Sequence, residues 1–238
     1  MKSAFVSGAD RGLGLAFVRL LLRQGFRVFA GHYQADPGEL GSLAEEHPHA
    51  LYPIRLDVSD GIGVKEAAER VKGTAASIDL LINNGAILGD IRKTVYDDLD
   101  YDEMLGVYNV NALGPLRMTN ALLETILRSE DKLIVNISSE AGSIGDCWRN
   151  NWFAYSMSKA ALNMQTALLH NQFKGTGARV LSVHPGWVQT HMQGKLDSEA
   201  TYTPDEAAAH ILETVYRTDI AQGDQTVFVD LLGQPLPW

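Results

Sequence analysis

Short apolar runs alternate with helix-patterned stretches along the whole chain, and this alternation limits the fold more than any single motif. Seven runs read as strands: "SAFVSG", "FRVFAG", "LYPIRLDV", "IDLLINNG", "KLIVNISS", "ARVLSVHPG" and "TVFVDL". Between them lie helical patterns: "GLAFVRLLLRQG" closed by Gly25, "GVKEAAERVKGTA", the long segment from Tyr101 to Arg128, the run after Phe153, and "TPDEAAAHILETVYR". Thr203, Pro204 and Glu206 form a start signal for the last of these. Pro53 is expected at the start of its strand. Strands separated by helices require right-handed crossovers, which predicts an α/β, doubly wound Rossmann fold. Its sheet has seven strands, mostly parallel, with helices on both faces. A length of 238 residues with 45% hydrophobic composition suits one dinucleotide-binding domain over 1–238.

In such sheets ligands sit beyond the carboxyl ends of the strands, so the residues after each strand come first. The first strand is followed by "SGADRGLG", Ser7 to Gly14. Its glycines, spaced G-x-x-x-G-x-G, let backbone approach a pyrophosphate at a helix N-terminus. After the second strand no acid appears before Asp36 to bind a bare ribose, while Arg11 could meet a 2′-phosphate. NADP is therefore favoured over NAD. The other strand ends read Asp57-Val58, "NNGA", Ser138-Ser139 and "HPGWVQT".

Tyr155 and Lys159 sit four positions apart in "YSMSK", on one face of a helix whose Ala154, Met157, Ala161, Leu162 and Leu168 can form a buried stripe. Alone, the pair reads equally as a tyrosine packed on a lysine stem. Chemically, a cation beside a phenol favours the phenolate and suits Tyr155 to acid–base work on a carbonyl or alcohol.

The net charge of −9 argues against a nucleic-acid partner. The early apolar stretch carries Arg19 and Arg23 and is too short to cross a bilayer. No signal peptide is expected, Cys147 is the one cysteine, and the cytoplasm is the expected compartment. No His/Cys/Asp/Glu spacing suggests a metal site. His184 reads as a strand-end residue with a satisfied hydrogen bond. Trp148, Trp152 and Trp187 read either as pocket walls for an apolar substrate or as packing residues.

Taken in order, "SGADRGLG", "LDV", "NNGA", "VNALG", "NISS", "YSMSK" and "HPGWVQT" resemble the single-domain short-chain dehydrogenase/reductase family over essentially the whole chain. The wording "NISSEAGSI", "YSMSKAALN" and the final "PW" is similar to C-factor and Sniffer-type carbonyl reductases. This resemblance implies Tyr155 as proton donor to the substrate carbonyl. It implies Lys159 as the residue that lowers the Tyr155 pKa and bonds the nicotinamide ribose, and Ser139 as the group polarising the carbonyl. Asn111 would position a relay water. It further implies cofactor contacts at Gly8, Asp10, Arg11, Leu13, Gly14, Tyr33, Asp57, Val58, Asn84, Val188 and Thr190. A small carbonyl or alcohol substrate, a closing loop at about 189–203 and a homodimer or homotetramer built on 101–128 and 152–172 also follow. Three departures stand out: Asn83-Asn84-Gly85-Ala86 replaces the usual N-N-A-G, Ser7 replaces a threonine, a change expected to matter little, and the 16 positions from Ser139 to Tyr155 exceed the family's commonest spacing, the extra "GDCWRNNW" being expected to rim the substrate pocket. A dinucleotide-binding, redox-sensing regulator without turnover is the alternative, and such proteins tend to lack the tyrosine–lysine pair.

Overall fold

The computed structural model describes residues 1–217 and 225–238. Its strands are β1 (Ser3–Ser7), β2 (Arg27–His32), β3 (Leu51–Arg55), β4 (Leu80–Asn83), β5 (Leu133–Ile137), β6 (Arg179–His184) and β7 (Val227–Asp230). They form one sheet in the order β3-β2-β1-β4-β5-β6-β7, and every pairing is parallel. The expected doubly wound topology is thus present, with all seven carboxyl ends along one edge.

Because successive side chains in a strand face opposite ways, the sheet carries a core on each face. On one, Ala4, Val6, Val28, Ile82 and Val135 pack under α1 (Gly12–Arg23) and α7 (Pro204–Tyr216). On the other, Phe5, Phe29, Leu81 and Ile134 pack under α3 (Gly61–Thr74) and α5 (Gly114–Leu127). Thr203 and Glu206 close a capping box at the start of α7, as their spacing announces. No helix among the described residues is long and apolar enough to cross a membrane.

Four local expectations need correction. Pro53 sits mid-strand, opposite Ala30, and is tolerated because β3 is an edge strand that needs hydrogen bonds on one side only. A short helix, α2 (Glu39–Glu46), forms where Pro37, Gly38 and Gly41 mask the periodicity; its hold on the core is the fully buried Leu40.

The segment 101–128 is not one regular helix. α4 (Tyr101–Tyr108) passes through a π turn at Asn109–Leu113 into α5. Pro115 has no N–H to offer the Asn111 carbonyl, and the Gly114 N–H reaches back to Asn109 instead.

The last correction concerns α6 (Phe153–Phe173). Ala154 and Leu162 are buried, but Met157 and Leu168 are exposed. The inward face is largely polar: Tyr155, Ser158, Lys159, Asn163 and Thr166 are all buried. Asn136 Nδ2 donates to Thr166 Oγ1 at 2.9 Å, Thr166 meets Ser182 at 2.8 Å, and Ser138 Oγ donates to Asn163 Oδ1 at 2.7 Å. Burial of so many polar groups is tolerated because each finds a partner. It also fixes α6 in one register over β5 and β6.

Candidate active site

Ser139 follows β5 and opens a single 3₁₀ turn, Glu140–Gly142. Its Oγ accepts the Ala141 N–H at 3.1 Å and donates to Glu140 Oε2 at 2.9 Å. Gly142 lets this turn lie against α6, since a Cβ there would fall 2.7 Å from the Lys159 carbonyl carbon. The first turn of α6 then brings Tyr155 up to Ser139.

Lys159, one turn on, is 2% exposed; its Nζ lies 5.5 Å from the Tyr155 ring centre and donates to Ile137 O at 2.8 Å. Burial without a carboxylate partner brings its pKa down to about 7. Tyr155 is pushed the other way, to about 12, chiefly by burial. The Ser139 hydrogen bond opposes that rise, and the Glu140 charge adds to it. In the protein alone the expected lowering of the phenol pKa by Lys159 does not appear, because burial is the largest influence on both groups.

The lysine has a measurable consequence. Its folded pKa of about 7 lies below its ordinary value of 10.5, so between those pH values the unfolded chain binds more protons and stability rises with pH. Below about 7 both states are protonated and the full cost of burying the cation is present. Denaturant melts at about pH 7 and about pH 9 should show this rise, and Lys159→Met should lose it.

The glycine-rich turn joins β1 to α1. Gly8 has φ 65°, Gly12 has φ 55°, and a Cβ on Gly8 would lie 2.6 Å from Gly85 Cα. Ser7 Oγ accepts the N–H groups of Asn84 at 3.0 Å and Gly85 at 3.1 Å, while Asn84 Nδ2 donates to Ser7 O and Gly8 O. The hydroxyl at position 7 is a two-way tie, not a neutral replacement. A Cβ on Gly85 would make only ordinary contacts, the nearest at 3.4 Å, so the glycine–alanine order of "NNGA" leaves this seam intact. Arg11 precedes α1 without a side-chain cap, leaving the first helical N–H groups free of side-chain partners. Backbone donors at a helix N-terminus, in a turn that excludes side chains, fit a dinucleotide diphosphate.

A model of the short chain dehydrogenase family matches residues 2–201. The chain belongs to that family. Carbonyl reductase from chicken fatty liver, solved with NADPH bound, is 33% identical and superposes with a TM-score of 0.87 over 100% of this chain and 99% of its own. Carbonyl reductase Sniffer of D. melanogaster is 26% identical, with a TM-score of 0.90 over the whole of both chains. C-signal of Myxococcus xanthus is 32% identical over 161 residues, 68% of this chain and 93% of its own.

This short-chain dehydrogenase brings most of its candidate residues to the one edge, several in positions the sequence did not suggest. Asn111 lies in the π turn with its amide fully engaged: Oδ1 accepts from Ile87 N, and Nδ2 donates to Ile87 O and Ser158 Oγ. Ser158 Oγ donates to Tyr155 O at 2.7 Å, which ties Asn111 to α6. Asp10 uses both carboxylate oxygens on the Tyr33 and Gln34 N–H groups, clasping the turn after β2. Asp57 is occupied with Ser59, and Gly114 packs against Val58. Leu13 is buried in the core, and Gly14 is pressed against Gly8.

Val188 bridges to Tyr202, closing the base of the loop between them. Thr190 Cγ2 lies 3.3 Å from where a Cβ on Gly12 would stand. The "HPGWVQT" segment therefore reaches the glycine-rich turn.

His184 Nδ1 is buried with no hydrogen-bond partner among the described residues, contrary to the satisfied bond expected of it. Trp152 meets the Tyr155 ring edge-on at 5.9 Å, whereas Trp148 and Trp187 are exposed. Among the described residues, no group of three or more His, Cys, Asp or Glu side chains could hold a metal ion. Sequence reasoning missed Arg55, whose guanidinium lies 5.1 Å from the Tyr33 ring centre, and the pair Glu140 and Arg149. An acid immediately after Ser139 was the available signal for the latter.

Proposed function

We propose that this chain transfers hydride between NADP(H) and a carbonyl or secondary-alcohol substrate, with Tyr155 as general acid and base. The observation that carries the reading is the gathering of Tyr155, Ser139 and Lys159, all buried, at the strand edge that also holds the glycine-rich turn. Solved relatives with bound NADPH or NADP support the choice of nucleotide.

When bound, the nucleotide supplies the hydride, and the remaining work falls to the chain. Ser139 and Tyr155 hydrogen-bond the substrate oxygen as negative charge grows on it, when such bonds are strongest. Tyr155 then gives up its proton. Its raised pKa keeps it a loaded donor at neutral pH, and an ammonium on Lys159 favours the phenolate left behind. Lys159 would also bond the nicotinamide ribose, and Asn111, tied to Ile87 and to Ser158 on α6, would position a relay water.

Gly8, Asp10, Arg11, Leu13, Gly14 and Tyr33 would hold the diphosphate and adenosine ribose, with Arg11 as the partner of the 2′-phosphate. Asp57, Val58 and Asn84 would take the adenosine, and Val188 and Thr190 the carboxamide. The whole chain acts as one catalytic domain in the cytoplasm, with the loop at about 189–203 closing over substrate. Association into a dimer or tetramer is supported by the exposed Met157, Met164 and Leu168 on α6 and Tyr101 and Leu105 on α4.

Fluorescence titration with NADPH and NADH, followed by turnover with a panel of aldehydes and ketones, tests the reading. NADPH should bind at least about tenfold more tightly than NADH, a difference of roughly 1.4 kcal/mol. Equal binding would remove the 2′-phosphate assignment, and binding of neither would remove the function.

A further inference from the structure

Beyond the residues of the proposed mechanism, a charged pair stands against Ser139. Glu140 Oε2 accepts the Ser139 hydroxyl proton at 2.9 Å, and Glu140 Oε1 accepts from Arg149 Nη2 at 2.5 Å. Arg149 is itself fixed, its guanidinium 4.4 Å from the Trp148 ring centre and 4.8 Å from that of Trp152. Trp152, which touches Tyr155, holds a φ of 62°, a conformation that a bulky side chain adopts only under constraint.

A circuit therefore runs from Tyr155 through Ser139, Glu140 and Arg149, and back through Trp152. Burial changes sharply along it. Tyr155 and Ser139 are buried and the Arg149 side chain is 11% exposed, but that of Glu140 is 39% exposed. Glu140 is the point on this circuit where a titratable oxygen bonded to the site meets water.

We propose that Glu140 is a positioning residue that connects Tyr155 to solvent through the Ser139 hydroxyl, with Arg149 keeping its carboxylate aimed. The inference rests on the reading of Tyr155 as general acid and base. In alcohol oxidation, Tyr155 holds the proton taken from the alcohol and passes it to Ser139 Oγ, as the Ser139 proton moves to the Glu140 carboxylate. Glu140 then releases that proton to water. In reduction the order reverses: water protonates Glu140, Glu140 protonates Ser139 Oγ, and the former Ser139 proton restores the Tyr155 phenol. Each transfer breaks one O–H bond and forms another, and no electrons move beyond the hydride. The charged and titratable groups near the carboxylate are Arg149 on its own segment, Tyr155 on α6 and His184 at the end of β6, the last of which also feels Asp230 at the end of β7.

The test compares wild type, Glu140→Gln and Glu140→Asp in NADPH oxidation by 9,10-phenanthrenequinone and 4-nitrobenzaldehyde, across pH and with added imidazole. Glu140→Gln should lower kcat on the order of 10²-fold at unchanged KM for NADPH. It should also flatten the limb on which reduction slows as pH rises, and recover rate with imidazole, which carries protons in place of the carboxylate. Glu140→Asp should keep the limb. A purely structural loss would lower kcat evenly and ignore imidazole; that result, or a wild-type profile in Glu140→Gln, overturns the relay alone. Absence of wild-type turnover with both probes and the wider panel would remove the reading of Tyr155, and the relay with it.

Discussion

Tyr155→Phe is expected to keep nucleotide affinity and lose nearly all turnover, with kcat falling on the order of 10³-fold. The ring survives in the variant, so its 5.9 Å contact with Trp152 and the packing of α6 survive too. What disappears is one hydroxyl, the only group of Tyr155 that can hand over a proton. Ser139 remains to hydrogen-bond the substrate oxygen, which is why some residual rate should persist. Melting temperature and NADPH titration should match the wild type while kcat collapses. A variant retaining more than about a tenth of wild-type kcat would show that the proton comes from elsewhere.

Gly14→Ala should damage the fold and the cofactor site together. A Cβ at position 14 would press into the Gly8 carbonyl, 2.8 Å from its carbon and 2.7 Å from Asn84 Nδ2. These are mostly backbone atoms, which cannot rotate away as a flexible side chain could. Either α1 lifts from the turn or the Asn84 ties to Ser7 and Gly8 break. A loss of about 3 kcal/mol is expected, read as a lower denaturation midpoint, together with a loss of NADPH binding. Gly73→Ala is the matched control, because nothing lies within 4 Å of a Cβ there. Equal stability of the two variants would mean that the turn relaxes more freely than its contacts imply.

The fold was legible because alternating apolar runs and helical periods leave few topologies for a chain of this length. The position of Ser139 was legible from its place after a strand, and the shared face of Tyr155 and Lys159 from their spacing of four on a helix. Local spacing does not reveal how a side chain spends its hydrogen bonds. Asp10 turned out to clasp the turn after β2, and Asn111 to grip Ile87. Both depend on partners more than twenty residues away. Burial was legible only where the buried face is apolar. On α6 that face is polar, so counting apolar positions assigned Met157 and Leu168 to the wrong side. The direction of the pKa shifts was hidden for a related reason: proximity of Tyr155 to Lys159 can be read from spacing, but the desolvation of both cannot.

The sheet order also governs how the molecule can assemble. β1 lies between β2, its neighbour in sequence, and β4, so Ala4 must wait for Leu80 before its second side is paired. The contact between Gly8 and Gly85 lies on that late seam. During synthesis the first three strands can therefore gather while the nucleotide cradle is still unmade, one strand edge open to a stranger. Closing the seam over so long a loop makes folding slow. Any ligand that grips both Gly8 and Asn84 would clamp the two halves of the chain to each other, acting as a fastener for a newborn protein as well as a reactant for a mature one.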